Sequence, residues 1–318
     1  MYNRTGTPKF YIDAVLLARQ LGFIETENSD GLFYLNPTKT KNFVFSAESN
    51  IKYIYIDFKN RYFLNSLTHC FILGHQFHDD DIGVTAKSET KKIDGNWFTH
   101  SHTGLIDLSN NGWNKLDSFT QGTSLDLQRF VLSFTGETSQ TFNIGDISAG
   151  WSFEMQHSSD LELTQTFGNE SLKTQTTKSG VTLSNVGWNQ PPKWGNYPQW
   201  KKSPNDIVYP ARRSWNLKFS YLSDDHSSSP LMPQYYNEWD VDNDNRGIFE
   251  RTSTDSFSIK DDFLSKVMPS INLGLPFIFQ PNKDVEEYAI CRVNANSVTM
   301  NQVANNVYDI SLSIVETW

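Results

Sequence analysis

A chain of 318 residues, 37% apolar and 14% aromatic, can bury one large core or two ordinary ones. Its net charge of −9 and pI near 5.3 argue against a nucleic-acid binder, which needs a basic stripe. No apolar run approaches the ~18 residues that a bilayer crossing requires, so no membrane insertion is expected.

Residues 1–8 lack the apolar centre of a secretory signal. The two cysteines, Cys70 and Cys291, lie far apart and are expected as buried thiols of a protein made in a cytoplasm. Abundant aromatics favour pleated surfaces, and abundant Asn, Ser and Thr favour turns.

In chain order, residues 9–22 predict a short helix, with Tyr11, Val15, Leu16, Ala18 and Leu21 at helical spacing and Gly22 to end it. Short strands are predicted over 32–35, 42–46 and 52–58. In the last, Tyr53 and Tyr55 point one way and Ile54, Ile56 and Phe58 the other, which predicts cover on both sides.

Residues 69–102 hold five of the seven histidines. His75 and His78 are three apart, and His100 and His102 would share a strand face. With Asp79, Asp80 or Asp81 they have the donor types of a transition-metal site. No HExxH or cysteine-rich spacing accompanies them, and the acids suit a turn over 79–83. The reading is therefore turn and strand-end histidines, with no metal or cofactor.

Residues 104–122 are turn-rich, and strands are predicted again over 127–134, 150–155, 160–167 and 180–185. Trp151, Phe153 and Met155 share a face, as do Leu161, Leu163 and Phe167. Short alternating strands between turns predict a mainly β fold, an antiparallel β-sandwich or jelly-roll-like arrangement with one or two short helices. Nothing alternates strands with long helices, which excludes a doubly wound α/β fold. The expected division is a helix plus β-rich region over 1–125 and a β-sandwich domain over 126–318.

Between residues 187 and 213, Trp188, Trp194 and Trp200 recur every six residues among Pro191, Pro192, Pro198, Pro204 and Pro210, with Tyr197 and Tyr209. The prolines deny this stretch helix and central-strand hydrogen bonding, so it is expected as a long loop or arm. Its tryptophans need something to pack on: their own domain, an adjacent subunit, or a sugar ring. Lys193, Lys201, Lys202, Arg212 and Arg213 make it locally basic.

Over 215–221, Trp215, Leu217, Phe219 and Tyr221 share one face, and 308–314 alternates in the same way, so both are predicted strands. Between them, Asp240, Asp242 and Asp244 occupy the first, third and fifth positions of an EF-hand-like loop. Gly247 comes too late for the turn, and Arg251 stands where a bidentate Glu belongs, so a solvated turn is expected. Ser258, with Asp261 and Asp262, caps a predicted helix through Val267 that Pro269 ends. The core of this part is expected at Trp215, Phe219, Phe277, Phe279, Ile310 and Leu312. Walker, GxGxxG, GxSxG and HExxH patterns are all missing, so no enzyme is predicted.

Arg213-Ser214-Trp215, Asp262-Phe263-Leu264, Gly274-Leu275-Pro276-Phe277-Ile278-Phe279-Gln280-Pro281, Ala289-Ile290-Cys291-Arg292 and Gln302-Val303-Ala304-Asn305-Asn306-Val307-Tyr308 form a pattern of strands and turns. It resembles the C-terminal part of tailed-bacteriophage virion proteins of the minor tail, distal tail or baseplate kind. Pro8-Lys9-Phe10-Tyr11-Ile12-Asp13, followed by a short helix, resembles the start of marine-type phage structural proteins. The resemblance implies a virion tail component made in the host cytoplasm, which joins copies of itself in a ring or collar beside neighbouring phage tail proteins. It brings no catalytic residues. It favours the arm, with Trp188, Trp194, Tyr197, Trp200, Arg212 and Arg213 as subunit contacts. The alternative is a carbohydrate-binding receptor module for a host surface glycan, with Trp194 or Trp200 exposed.

Overall fold

The computed structural model describes residues 6–29, 31–59, 67–91, 97–105, 110–116, 128–160, 164–168, 172–186, 191–208, 211–223, 263–294, 298–305 and 307–317. The chain starts with β1 (Lys9–Asp13), α1 (Ala14–Gln20) and β2 (Ile24–Glu27). Then come β3 (Lys41–Val44), β4 (Ile51–Phe58), β5 (His69–His75), β6 (Gly83–Lys91), β7 (Trp97–Leu105) and β8 (Gly112–Leu116). The middle holds β9 (Arg129–Thr135), β10 (Thr141–Ile144), β11 (Asp146–Glu154), β12 (Thr164–Gly168), β13 (Leu172–Thr176) and β14 (Thr182–Val186). The last third holds β15 (Arg212–Ser223), α2 (Phe263–Lys266), α3 (Met268–Asn272), β16 (Phe277–Gln280), β17 (Ala289–Val293), β18 (Thr299–Ala304) and β19 (Val307–Glu316).

The fold is mainly β, as the alternation predicts, and the strands pair antiparallel. One sheet runs β12-β15-β19-β17-β16-β1-β11-β5-β8, with β18 also on β19. A smaller one runs β2-β4-β9-β6-β7. Their facing sides share one core. Ile54, Ile56, Leu132 and Phe134 meet Ile72, Ile147, Trp151 and Phe153, and Trp215, Phe219, Phe277, Phe279, Ile310 and Leu312 continue it. The expected core of the C-terminal third is thus observed.

Four local expectations are corrected. Residues 9–13 form a strand, not the start of the helix. Phe10 and Ile12 face the main core and Tyr11 the opposite side, a period of two that β11 and β16 pair on either flank. The helix begins at Ala14, where an oxygen of the Asp13 carboxyl group accepts from Leu16 N at 3.0 Å. Pro269 sits in the first turn of α3, where its missing N–H costs nothing, instead of ending a helix. Tyr221 leaves the face of Phe219: a bulge puts it at φ 58°, and Leu222 turns inward in its place. Finally, the outer face of β4 is not buried in a second core, since Tyr53 is exposed and Tyr55 is covered by the Arg129 guanidinium at 4.4 Å.

The expected division at residue 125 does not follow the sheets either. The first 125 residues supply β1, β5 and β8 to the large sheet beside β11 and β15–β19, because β1 and β5 are buried on both faces and each needs two strand partners.

Candidate functional site

The second face of the large sheet carries Tyr11, Phe71, Leu73, Trp113, Ile278, Tyr288 and Ile290, and the tryptophan-proline segment covers it. Trp194 and Tyr197 bond each other through their backbones, Trp194 N to Tyr197 O at 2.8 Å and Tyr197 N to Trp194 O at 3.1 Å. They are 2% and 3% exposed. Trp200, at φ 58°, places its ring 4.9 Å from Trp194, 5.5 Å from Trp113 and 5.3 Å from Tyr288. A glycine permits the close approach: Gly74 has φ 70°, and a Cβ there would stand 3.2 Å from the Trp194 Cβ.

This corrects the arm. Within the described segment 191–208, Trp194 and Tyr197 are buried and Trp200 is half-buried against their own chain, so Trp194 and Tyr197 have no surface to offer a subunit, and Trp194 has no open face for a sugar. The physical reason is the apolar second face of β5, β8 and β17, which would otherwise lie in water. Trp188 lies outside the described residues.

Arg213 is also an internal group. Its guanidinium donates to Glu316 Oε1 at 2.7 Å, Glu287 Oε1 at 2.9 Å and the Tyr288 carbonyl at 2.9 Å. Burial works against its charge, but the Glu316 carboxylate outweighs that and pushes its pKa further above the ordinary value. Arg213 thereby ties the start of β15 to the end of β19. Arg212, beside it, is half-buried.

Of the candidate histidines, His75 and His78 have described side chains, and they lie in different surroundings. His75 is fully buried against Phe77, with ring centroids 4.2 Å apart, and burial lowers its pKa to about 3. His78 is exposed, on a turn whose backbone N donates to Asn111 Oδ1 at 3.0 Å. His100 and His102 belong to β7, in the other sheet, and their side chains lie outside the described residues, as does the whole acidic stretch 239–247. Among the described residues no three His, Cys, Asp or Glu side chains are grouped to hold a metal. Cys70 and Cys291 are free and buried, and burial pushes both thiols up.

Two features that the sequence reading missed stand out. The first is a cleft of about 620 Å³ between residues 31–41 and the ends of β17 and β19. Residues 32–35, predicted as a strand, are a turn with Phe33 at φ 68° and Leu35 at φ 52°. Alternate left-handed residues aim successive N–H groups inward, and the Asp146 carboxylate fills that concavity. It accepts from Tyr34 N at 3.3 Å and Asn36 N at 2.9 Å. Burial still raises Asp146 to about 6, and these N–H groups hold it from going higher. Arg19 braces the turn from behind, donating to the Phe33 carbonyl at 2.9 Å and lying 4.4 Å from the centre of the Tyr34 ring. Lys39, Lys41 and Arg292 line the opening. No local spacing signals this site, because Asp146 and Asn36 are separated by 110 residues.

The second is the hairpin of β13 and β14. The two strands pair with each other, and among the described residues no third strand pairs with either. From Thr174 to Ser184 every side chain is exposed except the half-buried Thr177. Val181 and Leu183 are 54% and 57% exposed. Leu183 lies in β14 and Val181 at the end of the turn that leads into it.

No protein-family model, curated protein or solved structure matches this chain.

Proposed function

We propose that this protein is a structural component of a phage tail, at the distal tail, tail tip or baseplate, and that its copies associate into a ring through the β13–β14 hairpin. The hairpin is the observation that carries the reading. A lone two-stranded hairpin is marginal in water, and this one holds Val181 and Leu183 in solvent. Another copy of the chain is the fitting cover. Residues 172–186 contain Lys173 and Lys178 and no acid, whereas the whole chain carries −9, so the hairpin and the body of a neighbour attract. Head-to-tail contacts of this kind close into rings when the rotation permits. The resemblance of the C-terminal third to phage tail proteins supports the same reading. The work is mechanical, done by interface burial of at least ~1,200 Å².

The test is the mass in solution, by light scattering over a concentration series, of the natural chain and of Val181→Glu/Leu183→Glu. The natural chain should grow in mass with concentration. The variant should stay monomeric with an unchanged far-UV circular dichroism spectrum. A natural chain that is monomeric at every concentration retires the reading, and so does a variant that associates equally well.

A further inference from the structure

We infer that the cleft lined by Tyr34, Asn36, Lys39, Lys41 and Arg292 is a binding site for an anionic saccharide, a sugar carrying a carboxylate or sulfate. The site goes beyond self-association and does not depend on it.

Three observations carry the inference. The first is charge. Lys39 and Lys41 come from one stretch and Arg292 from β17, and all three line one concavity of an otherwise acidic chain. Among the described residues none of the three forms a salt bridge. The one acid in the lining, Asp146, has its oxygens turned onto the backbone N–H groups of Tyr34 and Asn36. Unneutralised cations in a concave site raise the local concentration of small anions.

The second is the aromatic wall. Tyr34 is 44% exposed, while the Arg19 guanidinium lies over its ring at 4.4 Å. A tyrosine held against a cation and still open to solvent offers an apolar edge with a polar tip, which suits the C–H face and hydroxyls of a pyranose. Inorganic anions have no use for such a wall. The exposed Asn36 amide beside it, whose Oδ1 accepts from Thr38 Oγ1 at 2.6 Å, adds donor capacity for hydroxyls.

The third is preorganisation. Phe33 and Leu35 are buried, and Asp146 fixes the turn between them, so the loop does not have to order when a ligand arrives. Gly31, at φ 76°, leaves room for the Lys41 ammonium, which stands 2.6 Å from where a Cβ would be. The volume of about 620 Å³ lies within the range of small-ligand pockets and exceeds what a single ion fills. A nucleic acid, with a phosphate at every nucleotide, is opposed by the net charge of −9. A sugar with one charge per ring meets much less repulsion.

Isothermal titration of the full chain with four probes tests this: a hexuronate trisaccharide, a sulfated trisaccharide, a neutral glucose trisaccharide and inorganic phosphate. At least one acidic trisaccharide should bind, more weakly as salt rises, and the neutral sugar and phosphate should bind at least about tenfold more weakly. Lys41→Glu/Arg292→Glu, the first half-buried and the second exposed, should cost about tenfold or more in affinity with the far-UV circular dichroism spectrum of the natural chain retained. Tyr34→Ala should weaken the acidic sugar as well. The self-association variant Val181→Glu/Leu183→Glu should bind as the natural chain does, which keeps this result separate from the fate of the ring. Failure of both acidic sugars to bind overturns the inference. So does equal binding of the neutral sugar or of phosphate, or unchanged affinity in the Lys41/Arg292 variant.

Discussion

Arg213 shows how one residue near a strand start decides where the chain ends. It sits opposite the last residues of β19 and donates to a carboxylate 103 positions away. Both side chains are mostly buried, at 15% and 7% exposed. Removing one partner of a buried pair leaves the other charged and unpaired, at a cost of about 3–5 kcal/mol. Arg213→Met should therefore lower the unfolding free energy measured in urea by an amount in that range. Arg213→Met/Glu316→Leu should recover most of the loss, because apolar groups of similar size replace such pairs well. A single variant as stable as the natural chain would mean that Arg213 does not hold β15 to β19. The role expected for Arg213 from its sequence neighbourhood was contact with a subunit. Its charge was legible, but its partners, at the far end of the chain, were not.

At the scale of elements, the tryptophan-proline segment behaves as a third layer over the large sheet. Prolines keep it irregular, and tryptophans supply the area that a strand or helix would otherwise bury. Its docking depends on Gly74, whose left-handed backbone and missing Cβ admit Trp194. Gly74→Ala combines strain at positive φ with a tight contact, each of order 1 kcal/mol. The expected outcome is a loss of about 1–3 kcal/mol in stability and faster proteolysis within 191–208. Slower or unchanged cleavage would show that the segment is held independently of Gly74. The β13–β14 hairpin is the opposite case: its strands have a partner each, but its described side chains from Thr174 to Ser184 lie in solvent apart from the half-buried Thr177, and for that reason we propose it as the assembly surface.

At the scale of the whole molecule, the chain closes around β1, α1 and β11, and this centre contains two buried carboxyls. Burial raises Asp13 to about 8, with the Leu16 N–H lowering it and the Asp146 charge raising it further. Asp146 is raised to about 6. A raised acid binds its proton more tightly in the folded state, so stability is lost as pH climbs from the unfolded value toward the folded one. The buried His75, lowered to about 3, and His69, also lowered by burial, act in the other direction, but only below the ordinary histidine value of 6.5. Among the described groups, Asp13 carries the slope between about pH 6.5 and 8. The melting temperature should fall by a few degrees between about pH 6.5 and 8, at no more than about 1.4 kcal/mol per pH unit. Asp13→Asn keeps a side chain able to cap α1 and should flatten that slope. A natural chain with constant stability over this window would contradict a protonated Asp13.

The local chemistry of the strands was readable from the sequence. Alternation placed Trp215, Leu217 and Phe219 on one face of β15 and Ile310, Leu312 and Ile314 on one face of β19, and all six lie in the core. A period of two is a property of neighbours, so it survives in the linear order. What the tertiary structure alone decided is which segments lie side by side. β1 joins β11 and β16, Asp146 occupies the turn at Tyr34–Asn36, Glu316 meets Arg213, and Trp194 lies over Gly74. Each of these pairings joins residues far apart in the chain, and its energy comes from burying both partners together. Either residue alone looks like an ordinary acid, base or aromatic, so nothing in the local pattern announces the match.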